Sequence, residues 1–261
     1  MPQNSCRSSR FGVATPNHRT QSKSSKQVSS ARLKCHAFVD FDGTIVPQDA
    51  TDFLFERFAD SSWRDVEADW QSGKIGSREC LTRQVALLRA DPKDVLSEIG
   101  VLDVDPGFAK FVRECAKAGV GITVVSDGFD YVIENVLRNA GIDLVFKANH
   151  LEHIGGGHWR VTFPNSRSSC ISLAGNCKCS FTEPHQKTMK IVVGDGRSDF
   201  CVSKHADLVF AKSKLLELCV STGATHYPFE SFFDVTDRLG VWLDDPSIRR
   251  PEAAHVSQPT R

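Results

Sequence analysis

Short, almost wholly apolar runs recur along this chain: His36–Phe41, Ile122–Ser126, Leu144–Ala148, Ile191–Gly194 and Leu208–Ala211. Each is rich in Val, Ile and Phe, the composition of a strand covered on both faces. Between them lie stretches of helical spacing, such as Gly107–Ala118 and Tyr131–Ala140. Strand–helix alternation predicts an α/β fold, a Rossmann-like parallel sheet with helices on both faces. Residues 49–100 break the alternation. They are helical in pattern throughout, over Thr51–Phe58, Trp63–Gln71 and Ser77–Leu88, with Gly73 and Gly76 as punctuation. This predicts a small helical cap inserted after the first strand, with Phe53, Trp63 and Trp70 in its core. A second insertion, Asn149–Phe163, carries Gly155-Gly156-Gly157 between apolar segments and predicts a hairpin.

The charge distribution divides the 261-residue chain further. It has 32 basic and 32 acidic residues, a formal net charge of zero. No acid precedes Asp40, while residues 1–34 hold seven Lys and Arg, leaving 25 basic against 32 acidic residues beyond. The basic segment is Ser-rich and poor in large apolar side chains, so a disordered tail is expected at 1–34. It reads as a passive tail or an organellar transit peptide in preference to a nucleic-acid arm, since its one aromatic, Phe11, offers no stacking pattern. The expected organisation is a core of 35–48 and 101–243, the cap at 49–100, and a loose proline-containing tail at 244–261. No apolar run is long enough to span a membrane. The nine scattered cysteines fit reduced thiols better than a disulfide framework. A cytoplasmic location is therefore expected, or an organellar one if 1–34 is a transit peptide. Cys170, Cys177, Cys179 and His185 lack the spacing of a zinc site.

The chemistry gathers at strand ends. The first run ends in Asp40-Phe41-Asp42-Gly43-Thr44, the second in Ser126-Asp127-Gly128, and the fourth in Asp195-Gly196-Arg197-Ser198-Asp199. In a parallel sheet these ends meet at the edge where ligands bind. Carboxylates at such density call for a cation, and hard oxygen donors suit Mg²⁺. A hydroxyl, turn amides and a lysine would neutralise phosphate oxygens. Asp49 reads more readily as the N-cap of the helix that follows it, and Arg83 and Gln84 as cap surface unless they face the sheet edge.

Together these motifs resemble the haloacid-dehalogenase-like phosphatases. The resemblance covers about residues 36–211 through Asp40-x-Asp42-Gly-Thr, Ser126, Lys178 and Gly-Asp195-x3-Asp199. It implies Asp40 as nucleophile, Asp42 as general acid/base, and Mg²⁺ held by Asp40, the Asp42 carbonyl and Asp195, with Asp199 in support. It further implies Ser126, with Asp127 and Gly128, as the phosphate loop, and Lys178 as the residue that orients Asp40. The insertion's position is similar to that in phosphoserine phosphatases. Gly-Asn-Cys177-Lys178, Asp207-Leu-Val-Phe-Ala and Tyr227-Pro228-Phe229-Glu230 resemble the methionine-salvage phosphatases acting on 2-hydroxy-3-keto-5-methylthiopentenyl-1-phosphate. The function so implied is hydrolysis of a small phosphorylated metabolite through an aspartyl phosphate. Alternatives are a phosphoserine phosphatase, a phosphotransferase or phosphomutase, and a non-catalytic phospho-acceptor. Asp49 and Arg83 are the cap residues expected at the substrate, although Gln84 takes the place where phosphoserine phosphatases carry an arginine. No nucleic-acid or membrane partner is expected, and a homodimer is allowed.

Overall fold

The computed structural model describes residues 34–245 except Ile171. The expected tails, 1–34 and 244–261, lie outside the described residues apart from Lys34, Asp244 and Asp245. Seven strands form one sheet: β1 (Cys35–Val39), β2 (Val120–Phe129), β3 (Phe146–Gly155), β4 (His158–Thr162), β5 (Met189–Gly194), β6 (Leu208–Ala211) and β7 (His226–Pro228). Their order is β4-β3-β2-β1-β5-β6-β7, and every neighbouring pair is parallel except β3 with β4.

The apolar runs are strands because each face of the sheet needs its own cover. Ala37 and Val39 of β1 join one buried cluster, while Phe38 between them joins the other. The same alternation holds in β5, with Ile191 and Val193 on one side and Val192 on the other. Helices α5 (Phe108–Ala118), α6 (Asp130–Asn139) and α9 (Phe232–Asp244) cover the first face. Helices α7 (Phe200–Ser203) and α8 (Ser213–Thr222) cover the second. The expected fold class holds.

After β1 come four helices in succession: α1 (Ala50–Phe58), α2 (Trp63–Gln71), α3 (Ser77–Val85) and α4 (Pro92–Ile99). Asp49 caps α1 by accepting from the Asp52 amide at 2.8 Å. Phe53 and Trp63 are buried here, but Trp70 is only half-buried and lines a cavity. The hairpin expected at 149–163 is real, yet its first arm is continuous with the strand expected at 144–148. Both belong to β3, which bonds β2 near its start and β4 further on. The hairpin ties onto the helical segment. Ala90 donates its amide to Gly157 O at 3.0 Å, and Trp159 Nε1 donates to Ala90 O at 2.9 Å.

Register places the site. Val39 lies opposite Val124 of β2 and Val193 of β5. Asp40 therefore emerges level with the ends of both neighbours, and its amide bonds Val193 O at 2.9 Å. Strand β2 was expected to stop at Ser126. It runs to Phe129 instead, through a register shift between Val125 and Phe129. Such a bulge turns side chains out of the pleat, and here it re-aims Ser126-Asp127-Gly128.

Candidate active site

Asp40, Asp195 and Asp199 bring one carboxylate oxygen each to within 4.8 Å of one another. Asp40 and Asp199 are buried, and between them stands Lys178, 3% exposed. Its Nζ lies 2.7 Å from Asp40 Oδ2, 2.8 Å from Asp199 Oδ1 and 2.9 Å from Ser198 Oγ. Lys178 opens a 3₁₀ turn, Lys178–His185, which lifts it from the loop into the sheet edge. The Asp199 carboxylate is held in turn by the amides of Asp195 and Gly196, both at 3.2 Å. Thr44 Oγ1 donates to Asp195 Oδ1 at 3.1 Å. Gly43 has φ +68, and a Cβ there would strike the Asp195 carboxylate, so glycine is required where the two loops meet.

A second group faces these. Asp42 accepts from the Ala50 amide at 2.8 Å and from Ser126 Oγ at 3.2 Å. Gly128 donates its amide to Ser126 Oγ at 2.8 Å. A Cβ on Gly128 would lie 2.5 Å from Asp42 Oδ2, so the loop's close approach depends on that residue. Two buried asparagines that sequence reasoning missed brace this loop. Asn176 donates its amide to Asp127 Oδ1 at 2.8 Å, and its Nδ2 bonds Ser126 O at 2.7 Å. Asn149 Nδ2 bonds Asp127 O at 2.6 Å. Asn176 sits in the quoted Gly175-Asn176-Cys177-Lys178 stretch, the one signal that could have found it.

The charges are unbalanced. Burial, then the Asp199 carboxylate, push Asp40 well above the usual carboxylate range against the pull of Lys178. Burial and Asp199 likewise raise Asp195. Burial, then the Asp49 charge, push Asp42 up to about 8. Burial alone would lower the Lys178 ammonium, but Asp199 and Asp40 outweigh it and hold it above the usual lysine range.

Asp40, Asp42, Asp127, Gly128 and Asp195 open onto a cavity of about 480 Å³. Its far wall comes from α1 to α3 and the residues around them: Asp49, Asp52, Glu67, Trp70, Leu81 and Gln84. Asp49 thus caps a helix and lines the cavity at once. Arg83, expected at the substrate, does not reach it. That side chain is exposed and pairs with Glu79 one turn away on α3, because the helix turns the next residue inward. Gln84 is the inward residue, 1% exposed, donating from Nε2 to Glu67 Oε2 at 3.1 Å. Arg197 also lines the cavity and bonds Gln71 O at 3.2 Å.

Residues 37–204 match the model of the haloacid dehalogenase-like hydrolases. The chain belongs to this family. As a haloacid dehalogenase-like hydrolase it is 29% identical over 209 residues to a 2-hydroxy-3-keto-5-methylthiopentenyl-1-phosphate phosphatase of an Exiguobacterium species, covering 78% of this chain and 96% of that one. It is 30% identical to the enzyme of that name from Bacillus pumilus, over 75% of this chain and 87% of the other. In fold this hydrolase is similar to a phospho-aspartyl intermediate analogue of phosphoserine phosphatase, with a TM-score of 0.61 and 21% identity. That match covers 79% of this chain and 99% of the other. A substrate-bound phosphoserine phosphatase gives a TM-score of 0.59 at 19% identity, covering 78% and 98%.

Proposed function

We propose that this hydrolase is a Mg²⁺-dependent phosphomonoesterase that cleaves a small phosphorylated metabolite through an aspartyl phosphate on Asp40. The observation that carries the reading is the buried Lys178 bridging Asp40 and Asp199 beside Asp195. An all-oxygen donor set with more negative charge than one lysine offsets fits a hard divalent cation. Asp40, Asp195 and the Asp42 carbonyl would hold the ion, with Asp199 supporting them, and the ion would neutralise phosphate oxygens. Lys178 orients the Asp40 carboxylate for attack on phosphorus. Asp42, with its raised affinity for a proton, gives that proton to the leaving oxygen and takes one from the water that hydrolyses the acyl phosphate. Ser126 Oγ and the Gly128 amide lie at Asp42, where they can meet phosphate oxygens. An intact acid at Asp42 favours turnover over a stable phospho-acceptor. Replacing Asp40 by Asn tests the scheme: aryl-phosphate hydrolysis is expected to fall by at least ~10³-fold, and retained activity would refute the covalent route.

The relatives' names make the methionine-salvage enol phosphate the first substrate to assay, with Trp70 and Leu81 available to its methylthio end. One observation favours a second reading within the same reaction. The far wall carries Asp49, Asp52 and Glu67, whereas the basic lining residues, Arg197 and Lys214, both come from outside α1 to α4. Burial, then the charges of Asp49 and Glu67, push Asp52 up to about 7. A substrate ammonium group would relieve that repulsion, as in phosphoserine. A panel holding the thioether ester, phosphoserine and an uncharged aryl phosphate separates the two readings. Lower KM for the ammonium ester, lost in Glu67→Gln, supports the second.

A further inference from the structure

Regular pairing of β2 with β3 stops at Val125, which lies opposite Lys147, and resumes at Phe129, which lies opposite Asn149. Between those pairs Ser126, Asp127 and Gly128 of β2 span the stretch that Ala148 spans alone on β3. Surplus backbone in a ladder leaves polar groups that the neighbouring strand does not meet, and buried carbonyls there need donors from elsewhere. Side-chain amides supply them. Asn176 Nδ2 donates to Ser126 O at 2.7 Å and to Lys147 O at 2.8 Å, one carbonyl on each strand, where pairing stops. Asn149 Nδ2 donates to Asp127 O at 2.6 Å, from the position where pairing resumes. Asn165 Nδ2 donates to Ala148 O at 3.2 Å. A carbonyl oxygen only accepts, so the nitrogen of each amide is the atom that must face it. Asn176 and Asn149 are buried, and their Oδ1 atoms have no hydrogen-bond partner among the described residues. A buried acceptor left in that state is costly, so packing alone does not account for the two amides.

Asn176 belongs to a segment with constraints of its own. Gly175 passes so close to β3 that a Cβ on it would lie 2.7 Å from Asn149 Oδ1 and 2.7 Å from the Phe163 ring. The Asn176 backbone amide then bonds Asp127 Oδ1 at 2.8 Å. Lys178, two residues further on, is buried against Asp40. One short stretch therefore carries the close approach to β3, the amide that spans the two strands, and the ammonium at the nucleophile.

We propose that Asn176 is a positioning residue for phosphate binding: its side-chain amide holds β2 off β3 beyond Val125 and so keeps Ser126 Oγ and the Gly128 amide turned toward the cavity. This rests on the reading of Ser126 and Gly128 as phosphate contacts of a phosphatase. Without the amide, Ser126 O and Lys147 O lose the donor they share. If the strands then continue in register, the Ser126 side chain returns to the pleat; if they do not, Ser126 O stays buried and unbonded. Both outcomes move Ser126 Oγ from its place 3.2 Å from Asp42 Oδ2 and 2.8 Å from the Gly128 nitrogen. The hydrogen bonds of Asn176 go to Asp127, Ser126 and Lys147, and none of them reaches Asp40, Asp195 or Asp199. A side-chain substitution also keeps the backbone bond to Asp127. The effect therefore falls on phosphate and spares the three carboxylates.

The test compares the full chain with its Asn176→Ala variant. Three constants are read: KM for an aryl phosphate, the inhibition constant of inorganic phosphate, and the Mg²⁺ concentration that half-saturates thermal stabilisation. Both phosphate constants are expected to rise ~10-fold or more, the scale on which a misplaced binding group tells. The Mg²⁺ midpoint is expected to stay within about twofold of the parent's, as for separate sites. A general loss of folded protein lowers apparent kcat and leaves all three constants in place, so unchanged phosphate constants would overturn the proposal. So would a Mg²⁺ midpoint that moves as far as they do. If Asn176→Ala does not fold, Asn176→Ser is judged by the same criteria, since its hydroxyl is too short to span both carbonyls. A parent chain with neither turnover nor phosphate inhibition would instead sink the phosphatase reading, and this assignment with it.

Discussion

Lys178 carries the largest consequence for its size. Its ammonium is buried between two buried carboxylates, so removing it strands both charges. Breaking one side of a buried ion pair costs about 3–5 kcal/mol. Lys178→Met is therefore expected to lose that much stability in chelator and to recover part of it in Mg²⁺, with turnover down by about 10²-fold or more. Denaturant melts with and without Mg²⁺ check this, and equal stability of parent and variant in chelator would contradict the assigned burial. Asp40, Asp42, Ser126, Asp195 and Asp199 were legible as residues because a D-x-D after an apolar run and a G-D-x3-D after another are rare together. Lys178 was ambiguous, since Lys187 and Lys190 stand in the same stretch. Position along a chain does not say which lysine a turn lifts inward.

At the scale of elements, two contacts set the frame around the site. The β3–β4 hairpin meets the helical segment through Trp159, which is 4% exposed, hydrogen-bonded to Ala90 O and 5.3 Å from the Tyr131 ring. Trp159→Ala is expected to cost about 3–5 kcal/mol and to raise KM more than it lowers kcat, because the hairpin steadies the far wall. Loss confined to kcat would place its effect elsewhere. The second contact joins β1 to β2 and to the 178–185 turn. His36 Nε2 lies 2.9 Å from Thr123 Oγ1, and its ring centroid lies 4.3 Å from that of His185, the two rings tilted by 43°. Burial, then the His185 charge, pull His36 from 6.5 down to about 4. Between those values the unfolded chain holds a proton that the folded chain does not, so stability rises with pH across that window and is lost as pH falls toward 4. Replacing His36 with Asn should flatten this slope in denaturation curves taken at stepped pH. Helices α1 to α3, α5 and α6 and the buried strands were legible because their periods are strong, whereas β7 is three residues long, too short to leave a pattern.

For the whole molecule, the seven-stranded, mostly parallel sheet and its two covered faces make the site a property of topology. Charge follows the same logic. A neutral total conceals an acidic body, and part of that acidity is concentrated at one sheet edge. Binding of Mg²⁺ there should therefore stabilise the fold as a whole, by about 2.7 kcal/mol at a hundred times its Kd. A thermal melt that does not move between EDTA and saturating Mg²⁺ would exclude a cation at the three carboxylates. Among the described residues no helix is long and apolar enough to cross a membrane.

Apolar runs of the right length specified the layers, and short motifs at their ends specified the chemistry, because both are local patterns that one stretch of chain carries alone. Which lysine meets Asp40, that Gln84 rather than Arg83 faces the cavity, and that Asn176 and Asn149 brace the loop at Ser126 and Asp127 depended on packing. So did the contact between the Cys177 and Cys179 thiols on either side of Lys178. Those outcomes turn on side-chain direction and on contacts between segments far apart in sequence, such as the 127 and 176 loops. Only the assembled sheet sets such distances, since a residue's facing is decided by what its element packs against.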